Sequence, residues 1–358
     1  MPSHISHALL VEDLLGAAGG EIGFDTKNPP ESTIAHITAD PRARSIAVLG
    51  AQGPDLFLHN HRRKPRGFRY GALLHRHGNA DLLESLALSA AREDPETARA
   101  TIAYSIGYIT HIHLDRVCHP YINWSAGWRG TPDRDMDRPA MHPFLERCID
   151  SVFLMHARGQ DVPDFDFYGR LPERGVDLFA LRRNIVAALQ TALRSAPDDS
   201  RIERRIANAF ADAYGFYRNT NAPTDDYFRE ARARERRGTV HHRWLSLVHP
   251  PSELVSVDVL NLDRRTWAHP CDESRQSDWS FLELYREALT RSIATVRLFL
   301  ARVHEPELPA SGEALAASVG PWNLNDGITQ DPPCRRTYCD PLPLLELYHE
   351  IKSFYDHS

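Results

Sequence analysis

The chain has 358 residues, 42% of them hydrophobic and 25% charged, which suits a globular protein with one large or two modest domains. A net charge of −6 and a pI near 6.3 give no basic footprint for duplex nucleic acid. No apolar run approaches the ~18 residues of a membrane span, and Met1-Pro-Ser-His opens no export signal, so a soluble cytoplasmic protein is expected.

Taken in chain order, His4 to Gly16 has apolar residues at helical spacing, with Ser3 or Ser6 as N-cap. His4 and His7, three apart, share a face there. Ser32 to Leu49 reads as helix divided by Pro41. The turn Gly50 to Phe57 then presents Asp55 at a helix start, where negative charge is favoured. His59, His61 and Arg62-Arg63-Lys64-Pro65-Arg66 form a basic loop. Most such runs are solvated surface, although beside a metal cavity this one could gather anionic substrates. One helix or two follow, carrying His75 and His77, which face different ways.

The chemistry concentrates in Thr101 to Glu146. His111, Asp115 and His119 stand four residues apart, as do His142 and Glu146, so each set lines one helix face. The rest of the first helix is apolar (Ile102, Ala103, Ile106, Ile109, Ile112, Leu114, Val117). Ionisable groups on a buried element are costly unless paired or metal-bound, which points to a multinuclear metal site. His113 lies off the stripe and reads as a satisfied core or surface residue. Because a residue before proline is biased away from the α region, His119 before Pro120 should end its helix. His142 should directly precede the next, with Pro143 at its first position.

Downstream, Pro163 to Pro172 is a loop, and Val176 to Ala196 and Ile202 to Arg218 are amphipathic helices. Asn219 to Asp226 reads as a boundary between a catalytic domain, residues 1–222, and a mainly helical extension, residues 223–358. Within the extension, Tyr227 to Arg237 is a basic run, and Leu254 to Leu262 is the best strand candidate. Phe281 to Val303 and Pro341 to Tyr355 are helices, with an irregular lid or dimer surface between them at 305–340. His241, His242, His249 and His269 lack helical ligand spacing and read as surface or structural. The five cysteines (Cys118, Cys148, Cys271, Cys334, Cys339) lack CxxC spacing and read as free thiols in a reducing compartment.

The order His7, GxxGPD ending at Asp55, His75, HxxxD at His111 and Asp115, His119-Pro120, and HxxxE at His142 and Glu146 resembles the zinc-dependent phospholipase C family. That family shares an all-helical superfamily with the S1/P1-type nucleases, and the resemblance covers roughly the first 160 to 220 residues. It implies an all-α, multi-helix bundle holding two or three Zn²⁺ ions. Asp55, His75, His111 and Asp115 would hold one ion, and His119, His142 and Glu146 a second. Asp115 would bridge to a third, shared with His7. Secreted members complete that third site with a processed N-terminal tryptophan; none stands here, which leaves His4 or another group to replace it. The implied reaction is hydrolysis of a small-molecule phosphoester or phospholipid-like substrate, with Asp55 both a ligand and the orienter or base for water. Imidazoles and carboxylates suit Zn²⁺, and the lack of thiolate clusters argues against a closed structural site. Three alternatives stand beside this reading. One is an S1/P1-like nuclease, for which Tyr121, Trp124 and Trp128 could stack bases. Another is a repurposed zinc hydrolase of a small soluble metabolite, and the third a non-catalytic helical metal-binding protein. An oligomer is left open.

Overall fold

The structure, a computed structural model, describes residues 3–17, 29–127, 138–173, 178–221, 229, 233 and 244–357. The described chain is mainly helical, as expected. It runs α1 (His4–Gly16), α2 (Pro29–Ala39), α3 (Pro41–Ala51), α4 (Asp55–Leu58), α5 (Phe68–Leu74), α6 (Asn79–Ala90), α7 (Pro95–Ala126) and α8 (Arg138–Arg158). There follow α9 (Phe179–Ala192), α10 (Ile202–Asn221), a hairpin of β1 (Trp267–His269) and β2 (Asp272–Ser277), α11 (Phe281–His304), α12 (Pro309–Val319) and α13 (Leu344–His357). Among the described residues no helix is long and apolar enough to cross a membrane.

The bundle is built around α7. Its start is set by Asp94, whose carboxylate accepts the backbone N–H groups of Glu96 and Thr97, and by Pro95 in the first turn. From Thr101 to Asn123 every residue is buried, and a helix buried all round belongs at the centre of a bundle. Helix α3 packs on one side, α6 and α11 on others, and α1 and α8 close over the polar stripe. Gly107 permits the closest approach, because a Cβ there would collide with the Ala47 carbonyl of α3. Asp40, with Pro41 after it, caps α3 and divides it from α2, as the sequence suggests.

Several expectations are corrected. Pro120 does not end the helix at His119, since α7 continues to Ala126. Burial of Tyr121, Ile122 and Ala126 offsets the bond that proline removes, and Gly327 packs against the Arg116 carbonyl that Pro120 cannot serve. Pro143 likewise lies inside α8, which starts at Arg138 rather than after His142. There the loss is a single bond to the first turn. Leu254 to Leu262 is not a strand. Asp258 accepts the N–H groups of Leu262 and Asp263, and Asn261 sits at φ 56°, so local turn chemistry wins over β-propensity.

The strands lie just beyond, antiparallel, with Trp267 opposite Ser277. Residues 305–340 are not irregular throughout: they contain α12, and Asn323, Leu324 and Asp326 are buried. Nor are all the cysteines free. Cys271, at the hairpin turn, is disulfide-bonded to Cys334, a pairing that spacing in sequence cannot reveal. Cys118, Cys148 and Cys339 remain thiols. Most of the basic run at 227–237, and His241 and His242, lie outside the described residues.

Candidate metal centre

Asp115 is the hub. It is fully buried at the middle of α7, and neither of its carboxylate oxygens has a hydrogen-bond partner among the described residues. Three imidazoles face it within 3.7 Å, and His119 Nδ1 stands 4.0 Å from Oδ2. His7 Nε2 lies 3.4 Å from Oδ1, while His111 Nε2 and His75 Nε2 lie 3.2 and 3.7 Å from Oδ2. His7 comes from α1, stacked on the His111 ring at 4.2 Å, and His75 from the end of α5. Asp55 opens α4, its Oδ1 3.3 Å from His75 Nε2. Gly53 sets that turn at φ +50°, and a Cβ on it would run into the His111 ring.

The surroundings fix which nitrogen faces inward. His111 Nδ1 points at the Ala51 carbonyl at 3.0 Å, and His75 Nδ1 at the Gly71 carbonyl at 2.7 Å. A carbonyl cannot donate, so each Nδ1 carries the proton and each Nε2 turns a lone pair towards a carboxylate. Lone pair against lone pair is repulsive unless a cation, proton or metal, sits between them. Electrostatics repeat this demand. Burial pushes Asp115 upward, but His111 and His119 more than offset it, holding its pKa well below the usual carboxylate range. Burial depresses His111, yet Asp115 reverses the effect and its pKa ends raised.

A second group lies one turn along α7. His119, His142 and Glu146 converge, with His142 Nε2 2.8 Å from Glu146 Oε1 and the two imidazole rings 5.7 Å apart. His119 Nδ1 bonds the Leu324 carbonyl, supplied by the segment after α12. Burial pushes His119 down to about 3 and His142 well below its usual value, so both rings are neutral ligand-type donors. Thus the eight candidate ligands fall into three triads: His7, His111 and Asp115; Asp55, His75 and His111; and His119, His142 and Glu146. Their nitrogen and oxygen donors fit zinc, and each triad is compact enough for one ion, its donor atoms lying within 4.8 Å of one another.

Other histidines are placed elsewhere. His77 is half-exposed beside Asp331. His113 is buried against Thr295 of α11, as a structural residue should be. His269 bonds the Asp326 carbonyl. His4 does not join the His7 triad, because its ring is drawn into a nest of Phe167, Tyr217 and His249 and its Nδ1 accepts from Arg147. Of the aromatics weighed for base stacking, Tyr121 is core, bonded to the Val259 carbonyl, and Trp124 packs partly buried against the core. Trp128 lies outside the described residues.

Two features escaped the sequence reading. Asp150 extends the His142–Glu146 spacing by another four residues, a signal that was available. Its carboxylate accepts the backbone N–H groups of Ile5 and Ser6 and the ring of His249, pinning the start of α1. The other is Arg147. It lines a cavity of about 520 Å³ onto which Asp55 and Glu146 also open, with His59, Arg62 and Phe216 on its walls. Burial holds His59 down to about 3, so its ring is neutral. Comparison of the chain with protein-family models, with curated proteins and with solved structures gives no match.

Proposed function

We propose that this protein is a zinc-dependent phosphoester hydrolase, akin in its ligand order to the zinc-dependent phospholipases C. One observation carries the reading. A fully buried carboxylate, Asp115, leaves both oxygens without a hydrogen bond among the described residues and faces imidazole nitrogens of His7, His75 and His111, while two more candidate ligands, Asp55 and Glu146, line a cavity of small-molecule size. His7, Asp55, His75, His111 and Asp115 would hold one or two ions, and His119, His142 and Glu146 another. Bound there, zinc would supply Lewis acidity, lowering the pKa of water and stabilising the attacking and leaving oxygens of a phosphoester.

The chain's own residues contribute position and proton handling. Asp55, 8% exposed and on the cavity wall, is the carboxylate able to meet a substrate-side water. Burial pushes its pKa up, but His75 close beside it and the charge of His111 bring it down overall, so it is ionised at neutral pH. It can orient the water and accept its proton as the water oxygen bonds to phosphorus. The ester oxygen departs with the bonding pair. The carbonyls of Ala51, Gly71 and Leu324 hold three imidazoles in register throughout.

Elemental analysis tests this first. Purified full-length protein should carry two or three zinc ions, lost in His111→Ala and in Asp115→Ala. The loaded protein should cleave soluble phosphodiesters, and Asp55→Asn should lower kcat by roughly 10²-fold or more, the usual scale for a general base. Metal-free protein from zinc-replete medium would refute the metal assignment, and full activity in Asp55→Asn the role given to that carboxylate.

A further inference from the structure

Two kinds of chemistry line the large cavity. Asp55 and Glu146 belong to the candidate metal triads. Arg147 and Arg62 line it beside them. Arg147 is buried, its guanidinium over the Phe216 ring at 5.6 Å and its Nη1 donating to His4 Nδ1 at 3.0 Å, which together fix its direction. Arg62 is exposed and forms no ion pair among the described residues. A further acid on the lining, Asp212, forms no ion pair with the Arg62 side chain among the described residues. Its oxygens are taken by Arg63 Nη1, Asn60 Nδ2 and the backbone N–H groups of Arg62 and Arg63.

This wall is unsuited to a quaternary ammonium group, which seeks open aromatic faces. Phe216 is already engaged by Arg147 and by the His59 ring, stacked on it at 3.9 Å. A fixed guanidinium instead selects the paired oxygens of a carboxylate or phosphate. We propose that Arg147 and Arg62 form a recognition subsite for a second anionic group, so that the substrate is a compact phosphoester bearing a carboxylate or a further phosphate rather than a choline-type lipid headgroup. This deepens the phosphoester hydrolase reading above and rests on it.

Non-hydrolysable probes test the subsite apart from turnover. Zinc-loaded full-length protein is titrated calorimetrically with 3-phosphonopropionate and with propylphosphonate, which lacks the second anion. Methylenediphosphonate serves as the phosphate-type arm. The doubly anionic probes should bind about tenfold more tightly or better, the scale of a charge-assisted contact. That advantage should collapse in Arg147→Gln, shrink in Arg62→Ala and survive in part in Arg147→Lys. Whichever probe gains more identifies the anion. Should Arg147→Gln not fold, judged by circular dichroism, the exposed Arg62→Ala carries the comparison. Equal affinities in the wild type, or an advantage unchanged in the arginine variants because the second anion merely chelates zinc, would overturn the subsite while chelator-sensitive propylphosphonate binding kept the hydrolase reading intact. Binding of none of the probes would overturn both.

Discussion

Gly53 holds two of the ligand-bearing segments at their working distance. Its φ of +50° turns the chain from α3 into Asp55, and the absence of a side chain lets the His111 ring lie against its backbone. Alanine at this position meets both obstacles, a left-handed backbone and a buried ring with no room to move, since His111 is pinned by the Ala51 carbonyl. Gly53→Ala should therefore cost about 1–3 kcal/mol of stability, read by urea denaturation. It should also lower zinc content, because Asp55 and His111 share a triad. Unchanged stability would mean that the turn relaxes without moving His111. The same scale explains why His75 rather than His77 enters the centre. The Gly71 carbonyl one turn back orients His75, whereas His77 turns outward to Asp331.

At the scale of elements, the start of α1 is held from outside the helix. Ser3 occupies the N-cap position without a side-chain bond to the backbone, and the carboxylate of Asp150 on α8 takes over that task for Ile5 and Ser6. His249 completes the clamp at 3.0 Å, so two helices and a distant segment fix where His7 falls. Asp150→Asn keeps the shape but turns an amide against these donors, and should cost roughly 1.5–3 kcal/mol, the worth of a bond to a charged group. His7 should loosen with it, lowering zinc stoichiometry. Burial raises the pKa of Asp150, but the His249 bond and charge and the Ser6 hydroxyl outweigh this and leave it depressed.

A depressed carboxylate contributes its stability in full above the unfolded value, ~3.9, and loses it as pH falls through the folded value. Wild type and Asp150→Asn should thus differ most at neutral pH and converge in acid. A gap that stays constant from pH 7 to pH 3 would show that the Asp150 charge is not what holds α1. Helix ends were the less legible part of the sequence for a related reason. Proline rules placed His119 and His142 at termini, but packing of the turns beyond Pro120 overrode local preference.

For the whole molecule, what could be read in advance was what repeats along the chain. The four-residue steps of His111, Asp115 and His119, and of His142 and Glu146, are properties of one helix each, and a buried ionisable stripe has few explanations. What could not be read were meetings between distant segments: Leu324 with His119, His249 with Asp150, Cys271 with Cys334. All three involve residues after 222, which raises the question of whether residues 1–222 stand alone. The packing argues that they do not. Helix α11 packs on α7, its Ile293, Val296, Phe299 and Leu300 are all buried in the shared core, and its Thr295 bonds His113. At about 1.5–3 kcal/mol for each buried side chain, the lost face is on the order of 10 kcal/mol. That rivals the whole stability of an ordinary domain, ~5–15 kcal/mol. A chain ending at residue 222 should therefore lack a cooperative thermal transition and hold His119 without its carbonyl partner. It should bind fewer zinc ions than the full chain. A sharp melt together with full zinc content in that fragment would instead make the later segment an accessory to a self-sufficient metal-binding bundle.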